Sequence, residues 1–70
     1  MIYEKVKEHI SKDKKVVLFK GKNLYLLDVA DKATLDIDIL LHSSVESMYL
    51  RNEEEALNIF QDKVLQLEAM

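Results

Sequence analysis

Val16-Val17-Leu18-Phe19 and Leu24-Tyr25-Leu26-Leu27, separated by Lys20-Gly21-Lys22-Asn23, decide how this chain folds. A strand turns alternate side chains to opposite faces, so an unbroken apolar run places apolar groups on both. Two such runs side by side predict a hairpin with no water-facing side. Gly21 accepts a positive φ without steric cost and Asn23 tolerates one, so a two-residue Gly21-Lys22 loop is the simplest connection. In that register Lys15 faces Asp28, Val17 faces Leu26 and Phe19 faces Leu24. The opposite face carries Val16, Leu18, Tyr25 and Leu27. The charge match of Lys15 with Asp28 supports the register, and a one-residue slip would exchange the faces.

Before the hairpin, Ile2, Tyr3, Val6 and Ile10 recur at helical spacing with Glu4, Lys5, Lys7, Glu8 and Lys12 between them, which predicts a helix over residues 2–12. Asp13-Lys14 ends it. After the hairpin, the second strand closes at Val29 and residues 30–33 form a turn. Leu35, Ile37, Ile39 and Leu41 then alternate with Asp36, Asp38 and His42, the pattern of a half-buried third strand from Thr34 to His42, with Leu40 pointing outward. A four-residue turn adds Ile37 and Ile39 to the face of Val17, Phe19, Leu24 and Leu26. Asp36 and Asp38 join the face of Tyr25 and Leu27.

Residues 43–51 admit two readings. Ser43 with Glu46 makes a capping box for a helix, whereas Met48-Tyr49-Leu50 suits a fourth strand. The strand is favoured, because Asn52 before Glu53-Glu54-Glu55 is itself a helix start, a capping side chain followed by acids at the positive end of the dipole. That helix runs to about Glu68 with Ala56, Leu57, Phe60, Val64 and Leu67 as its inner stripe; Ile59 and Leu65 lie off it. The expected fold is a single small α+β domain over residues 1–70: helix, three- or four-stranded antiparallel sheet, helix, in two layers. Both helices cover the face of Phe19, Leu26, Ile37 and Ile39. One helix on each face, giving three layers, is the alternative, and it removes the need for a covering partner.

A domain of 70 residues buries only about 60% of the surface its unfolded chain exposes. Small scaffolds lean on disulfides, metals or oligomerisation. The chain has no Cys and two His, so oligomerisation is the staple left, and the absence of Cys suits a reducing cytoplasm. Residues 1–10 are charged throughout, unlike a signal peptide, and no apolar run approaches the ~20 residues that span a bilayer. With no Pro and one Gly the chain has no linker composition. Charge is lopsided: residues 1–22 hold seven lysines against three acids, residues 23–70 three basic residues against ten acids. Such asymmetry marks a basic binding face, or two halves that attract each other.

No residue set carries a catalytic signature. His9 and Asp13 at i, i+4 would suit a metal, but a zinc site needs three or four ligands and none other is near; a surface ion pair is the plainer reading. His42 with Glu46 is discounted likewise. Asp36 and Asp38 on one strand face stand about 7 Å apart, within reach of the paired carboxylates of glycoside hydrolysis. A solvent-facing strand looks the same, and so short a chain scarcely builds a sugar-sized cleft. Ser43-Ser44 beside His42 lacks a nucleophile elbow, and one Gly excludes glycine-rich phosphate loops. No enzyme activity, cofactor or metal is expected.

The face carrying Val16, Leu18, Tyr25 and Leu27, with Leu40 pointing outward, is apolar and bordered by carboxylates, the profile of an interface. It points to a cytoplasmic, non-enzymatic protein-binding module, a homodimer or higher, acting as a regulatory or inhibitory adaptor. A phage or mobile-element gene would suit that role. The rival is a nucleic-acid-associated factor using Lys20 and Lys22 at the hairpin tip. Against it stand one Arg, no stacking aromatic among the lysines and an acidic balance; lysines at strand edges also guard against aggregation. A third reading is an enzyme subunit whose site another chain completes.

Overall fold

The computed structural model describes residues 3–41 and 43–69. Along the chain come β1 (Glu4–Ser11), β2 (Lys14–Lys20), β3 (Tyr25–Asp31), α1 (Asp36–Leu40), β4 (Glu46–Leu50) and α2 (Glu53–Glu68). The strands form one antiparallel sheet in the order β1-β2-β3-β4. The fold is a four-stranded antiparallel sheet with two helices, mixed α+β.

The central hairpin is β2–β3, with the expected division of faces and a different register. Val17 pairs with Asp28, Phe19 with Leu26 and Lys20 with Tyr25, two residues away from the Lys15–Asp28 pairing. A slip of two keeps every side chain on its face. The loop is longer than a two-residue turn: the Gly21 N–H donates to the Leu24 carbonyl at 2.8 Å, and Gly21 has no positive φ. A larger residue there would have to displace a neighbouring side chain. A Cβ at Gly21 would lie 2.9 Å from the Tyr3 ring, which packs against the cluster of Phe19 and Leu26.

The first helix expected from the sequence is a strand. β1 pairs with β2 from Glu4–Lys20 to Ser11–Lys14, with a bulge between Lys5 and Lys7. The bulge breaks the two-residue alternation, and an edge strand solvated on most of its surface needs no apolar face. Val6 and Ile10, which made the stripe look helical, are 44% and 52% exposed. Lys12, with φ 57°, makes the turn into β2. Ile2, the first residue of the expected stripe, lies outside the described residues.

The expected third strand is also replaced. Residues 36–40 form α1, and β4 takes the place beside β3, pairing Tyr25 with Leu50 and Leu27 with Met48. The strand reading of Met48-Tyr49-Leu50 is thus the one adopted. α2 starts where expected: the Asn52 side chain accepts from the Glu55 N–H at 2.7 Å, and Glu53, Glu54 and Glu55 occupy its first turn.

The two helices contribute to opposite faces, unlike the two-layer expectation. Ala56 and Phe60 of α2 pack with Val16, Leu18, Tyr25, Leu27, Val29 and Leu50, joined by the half-buried Leu57, Ile59, Val64 and Leu67. On the other face Ile39 of α1 joins Val17, Phe19, Leu26 and Ala30, with Leu40 and Tyr3 packed at the margin. Both faces of the hairpin are covered from within one chain, by α2 on one side and by the segment carrying Ile39 on the other, and not by the helix expected over residues 2–12. No described helix is long and apolar enough to cross a membrane.

Candidate interaction surface

The four hairpin residues expected to meet another chain are interior. Val16 and Leu18 are 0% exposed, Leu27 2% and Tyr25 9%, all beneath α2. The physical reason is the inner stripe of α2, which lands on their face and not on that of Phe19 and Leu26. The Tyr25 hydroxyl donates to Glu53 Oε2 at 3.1 Å. Burial, reinforced by that carboxylate, pushes its pKa above the ordinary phenol value. Leu40 is half-buried against the second cluster.

What α1 leaves outside replaces them. Leu35, Ile37 and Leu41 are 64%, 60% and 68% exposed. Ile37 and Leu41, the latter at the C-cap of α1, are four apart and lie on its outer side. Only Ile39 of the α1 residues is buried. These aliphatics were expected to be strand residues, with Ile37 in the core. Their exposure is invisible to alternation because the segment does not enter the sheet. The one available signal was Asp36 and Asp38, acids that suit the first turn of a helix as well as a solvated strand face.

Beneath α1 lies a charge cluster. Asp36 reaches Lys5 Nζ at 3.1 Å and Lys15 Nζ at 3.9 Å, and Glu8 reaches the same two ammoniums at 2.7 and 3.9 Å. Lys15 is buried, its stem lying along the sheet between Ile10 and Ala30. The hydrogen bonds that Lys5 donates to Glu8 and then Asp36 raise its pKa above the ordinary value. Two ammoniums against two carboxylates form a neutral clasp that holds the start of α1 over β1 and β2. Asp28, buried in the same sheet face, accepts from Ser44 Oγ at 2.9 Å, which ties the other end of the connection down.

The other singled-out groups are dispersed. On a helix Asp36 and Asp38, two apart, point to different sides; Asp36 joins the clasp and Asp38 is exposed. The carboxylate pair on one face is not formed. β1 ends at Ser11, so His9 and Asp13 no longer belong to one element: His9 Nε2 meets Glu68 Oε1 at 2.7 Å, and Asp13 lies in the turn 3.7 Å from Lys14. Among the described residues no three metal-ligating side chains converge. His42, and with it the pairing to Glu46, lies outside the described residues. Glu46 pairs with Lys63 of α2. Lys20 and Lys22 are exposed at the hairpin tip. Arg51 and Tyr49 line a shallow depression there with Asn23, Leu24 and Leu50.

The hydrogen bond with His9, aided by Ser11, holds the Glu68 carboxyl below its ordinary value of 4.5. A carboxylate favoured in the folded state contributes stability that is present above that ordinary value and lost as pH falls through the lowered one. His9→Ala is therefore expected to move the Glu68 titration midpoint upward, followed by carbon-detected NMR of its carboxyl. An unmoved midpoint would mean that the contact does not persist in solution. No family model, curated protein or solved structure matches the chain.

Proposed function

We propose that this chain is a protein-binding module, an adaptor of the regulatory or inhibitory kind, that presents the outer side of α1 to another protein. The observation that carries this reading is the exposure of Leu35, Ile37 and Leu41 in one connection of a chain whose central hairpin is already covered on both faces. Exposed aliphatics scattered singly are ordinary, but a group of them on one element is the signature of a contact surface. Asp38 is exposed beside the pair, so the fitting partner offers an apolar groove with a basic rim.

A photo-crosslinker at position 37 is expected to give one discrete protein adduct in the producing cells. The adduct should disappear when Leu41→Glu is added and should not form from position 62, an exposed place on α2. Equal adducts from both positions, or none from 37, would refute the surface.

A second reading rests on the depression at the hairpin tip, where Tyr49 and Arg51 stand at the same end of the sheet as Lys20 and Lys22. An aromatic beside cations suits a single nucleic-acid strand. Glu4 opposite Lys20 and the three acids of the first turn of α2 crowd that end with negative charge, which favours the protein-binding reading. Salt-dependent retardation of labelled RNA or DNA that is lost in Lys20→Glu would reverse the preference.

A further inference from the structure

The two edges of the sheet are built differently. β1 carries a bulge between Lys5 and Lys7 and presents Glu4, Lys5, Lys7 and Glu8 along its length. Bulges and edge charges are how a sheet prevents another strand from adding to it. β4 has neither device. Its pairing with β3 runs without a register shift from Glu46 to Leu50. Its only charged side chain, Glu46, is drawn back to Lys63 of α2. Tyr49 is 57% exposed, and no strand among the described residues pairs with the outer side of β4. α2 packs most closely on β2 and less on β4. An edge strand leaves about half of its backbone N–H and C=O groups directed outward, a template for another strand.

We propose that two copies of this chain pair antiparallel through β4, centred on Met48, into one continuous sheet. A two-fold axis perpendicular to the sheet keeps each face on its own side, so facing residues must have the same parity. Centring on Met48 is the arrangement that pairs the whole of Glu46–Leu50 with its copy. Met48 then meets Met48, Ser47 meets Tyr49, and Glu46 meets Leu50, with no like charges face to face. The two Tyr49 rings become diagonal neighbours about 7–8 Å apart on the face opposite α2. The blocked β1 edge stops further addition, so the assembly closes at two copies and does not grow into a filament. This self-complementarity is what selects a second copy over an unrelated extended segment. The contact shares the protein-binding character proposed above but uses neither Ile37 nor Leu41, so each can fail without the other.

The chain has no Cys, which makes the test direct. Facing residues in an antiparallel pair lie about 4.5–5.5 Å apart at Cα, within the reach of a disulfide. Met48→Cys is expected to oxidise to a disulfide-linked dimer, while Glu54→Cys, on the exposed side of α2, stays monomeric under the same oxidant. In sedimentation equilibrium at about 100 μM, where contacts of micromolar strength are occupied, the unaltered chain is expected at twice its 8.2 kDa mass. The Ser47→Lys, Tyr49→Lys double variant, altered only at exposed positions, should fall to the single-chain mass with its circular dichroism unchanged. The Ile37→Glu, Leu41→Glu variant should remain dimeric. A monomeric unaltered chain, or equal crosslinking at positions 48 and 54, overturns the proposal. So does a double-lysine variant that keeps the dimer mass. Should that variant unfold, the crosslinking comparison still decides.

Discussion

Phe60→Ala is expected to lower stability by about 3–5 kcal/mol, the cost of removing a buried ring and leaving its space unfilled. Phe60 is 4% exposed at the centre of the α2 contact with Val16, Leu18 and Leu27, and the ammonium of Lys7 lies 5.3 Å from its ring centroid. A domain of this size has about 4–10 kcal/mol in all, so the loss runs from about a third of the total to all of it. Urea unfolding followed by circular dichroism reads it directly. Leu65→Ala provides the contrast on the same helix: Leu65 is 56% exposed, and its loss should change stability by no more than about 0.5 kcal/mol. Equal effects at the two positions would mean that α2 does not bury the stripe of Ala56, Phe60, Val64 and Leu67.

Ile39→Ala carries the second large effect, about 2–5 kcal/mol at most. Ile39 is 1% exposed among Val17, Phe19, Leu26 and Ala30 and is the one buried residue of α1. A five-residue helix has little stability of its own, so α1 depends on this contact and on the Lys5–Glu8–Lys15–Asp36 clasp. The loss of structure should therefore be local. The Ile39 and Leu41 amides, which bond to the Leu35 and Ile37 carbonyls at 3.0 and 3.1 Å, are expected to become nearly unprotected against hydrogen exchange, while the amides of β2 and β3 lose part of their protection with the overall stability and remain protected. Uniform loss of protection would show α1 to be an integral part of the cooperative core. Unchanged protection of both amides would show that the clasp alone holds it.

The chain's local chemistry determined the hairpin and the last helix. Val16 to Phe19 and Tyr25 to Leu27 are interior on both faces, and no arrangement of water-facing side chains accommodates two such runs. Asn52 with three acids after it specifies a helix start through hydrogen bonding and the dipole, both local effects. The division of the hairpin into two faces also followed from the sequence, since parity survives the two-residue difference in register.

Tertiary structure decided the rest. β1 is a strand because β2 offers it an open edge, and its bulge and solvated charges erase any periodicity by which residues 4–11 could be recognised. Residues 36–40 are a helix because β4 occupies the far side of β3; the displaced segment crosses the exposed sheet face and buries Ile39 alone. Which face α2 covers was likewise undetermined, since both faces of the hairpin were apolar and a stripe of Ala56, Phe60 and Val64 fits either. That single choice moved Val16, Leu18, Tyr25 and Leu27 into the core and left the outer side of α1 and the edge of β4 as the surfaces of interest. Periodicity reports which side chains share a face of an element; which face meets water is set by what the rest of the chain places upon it.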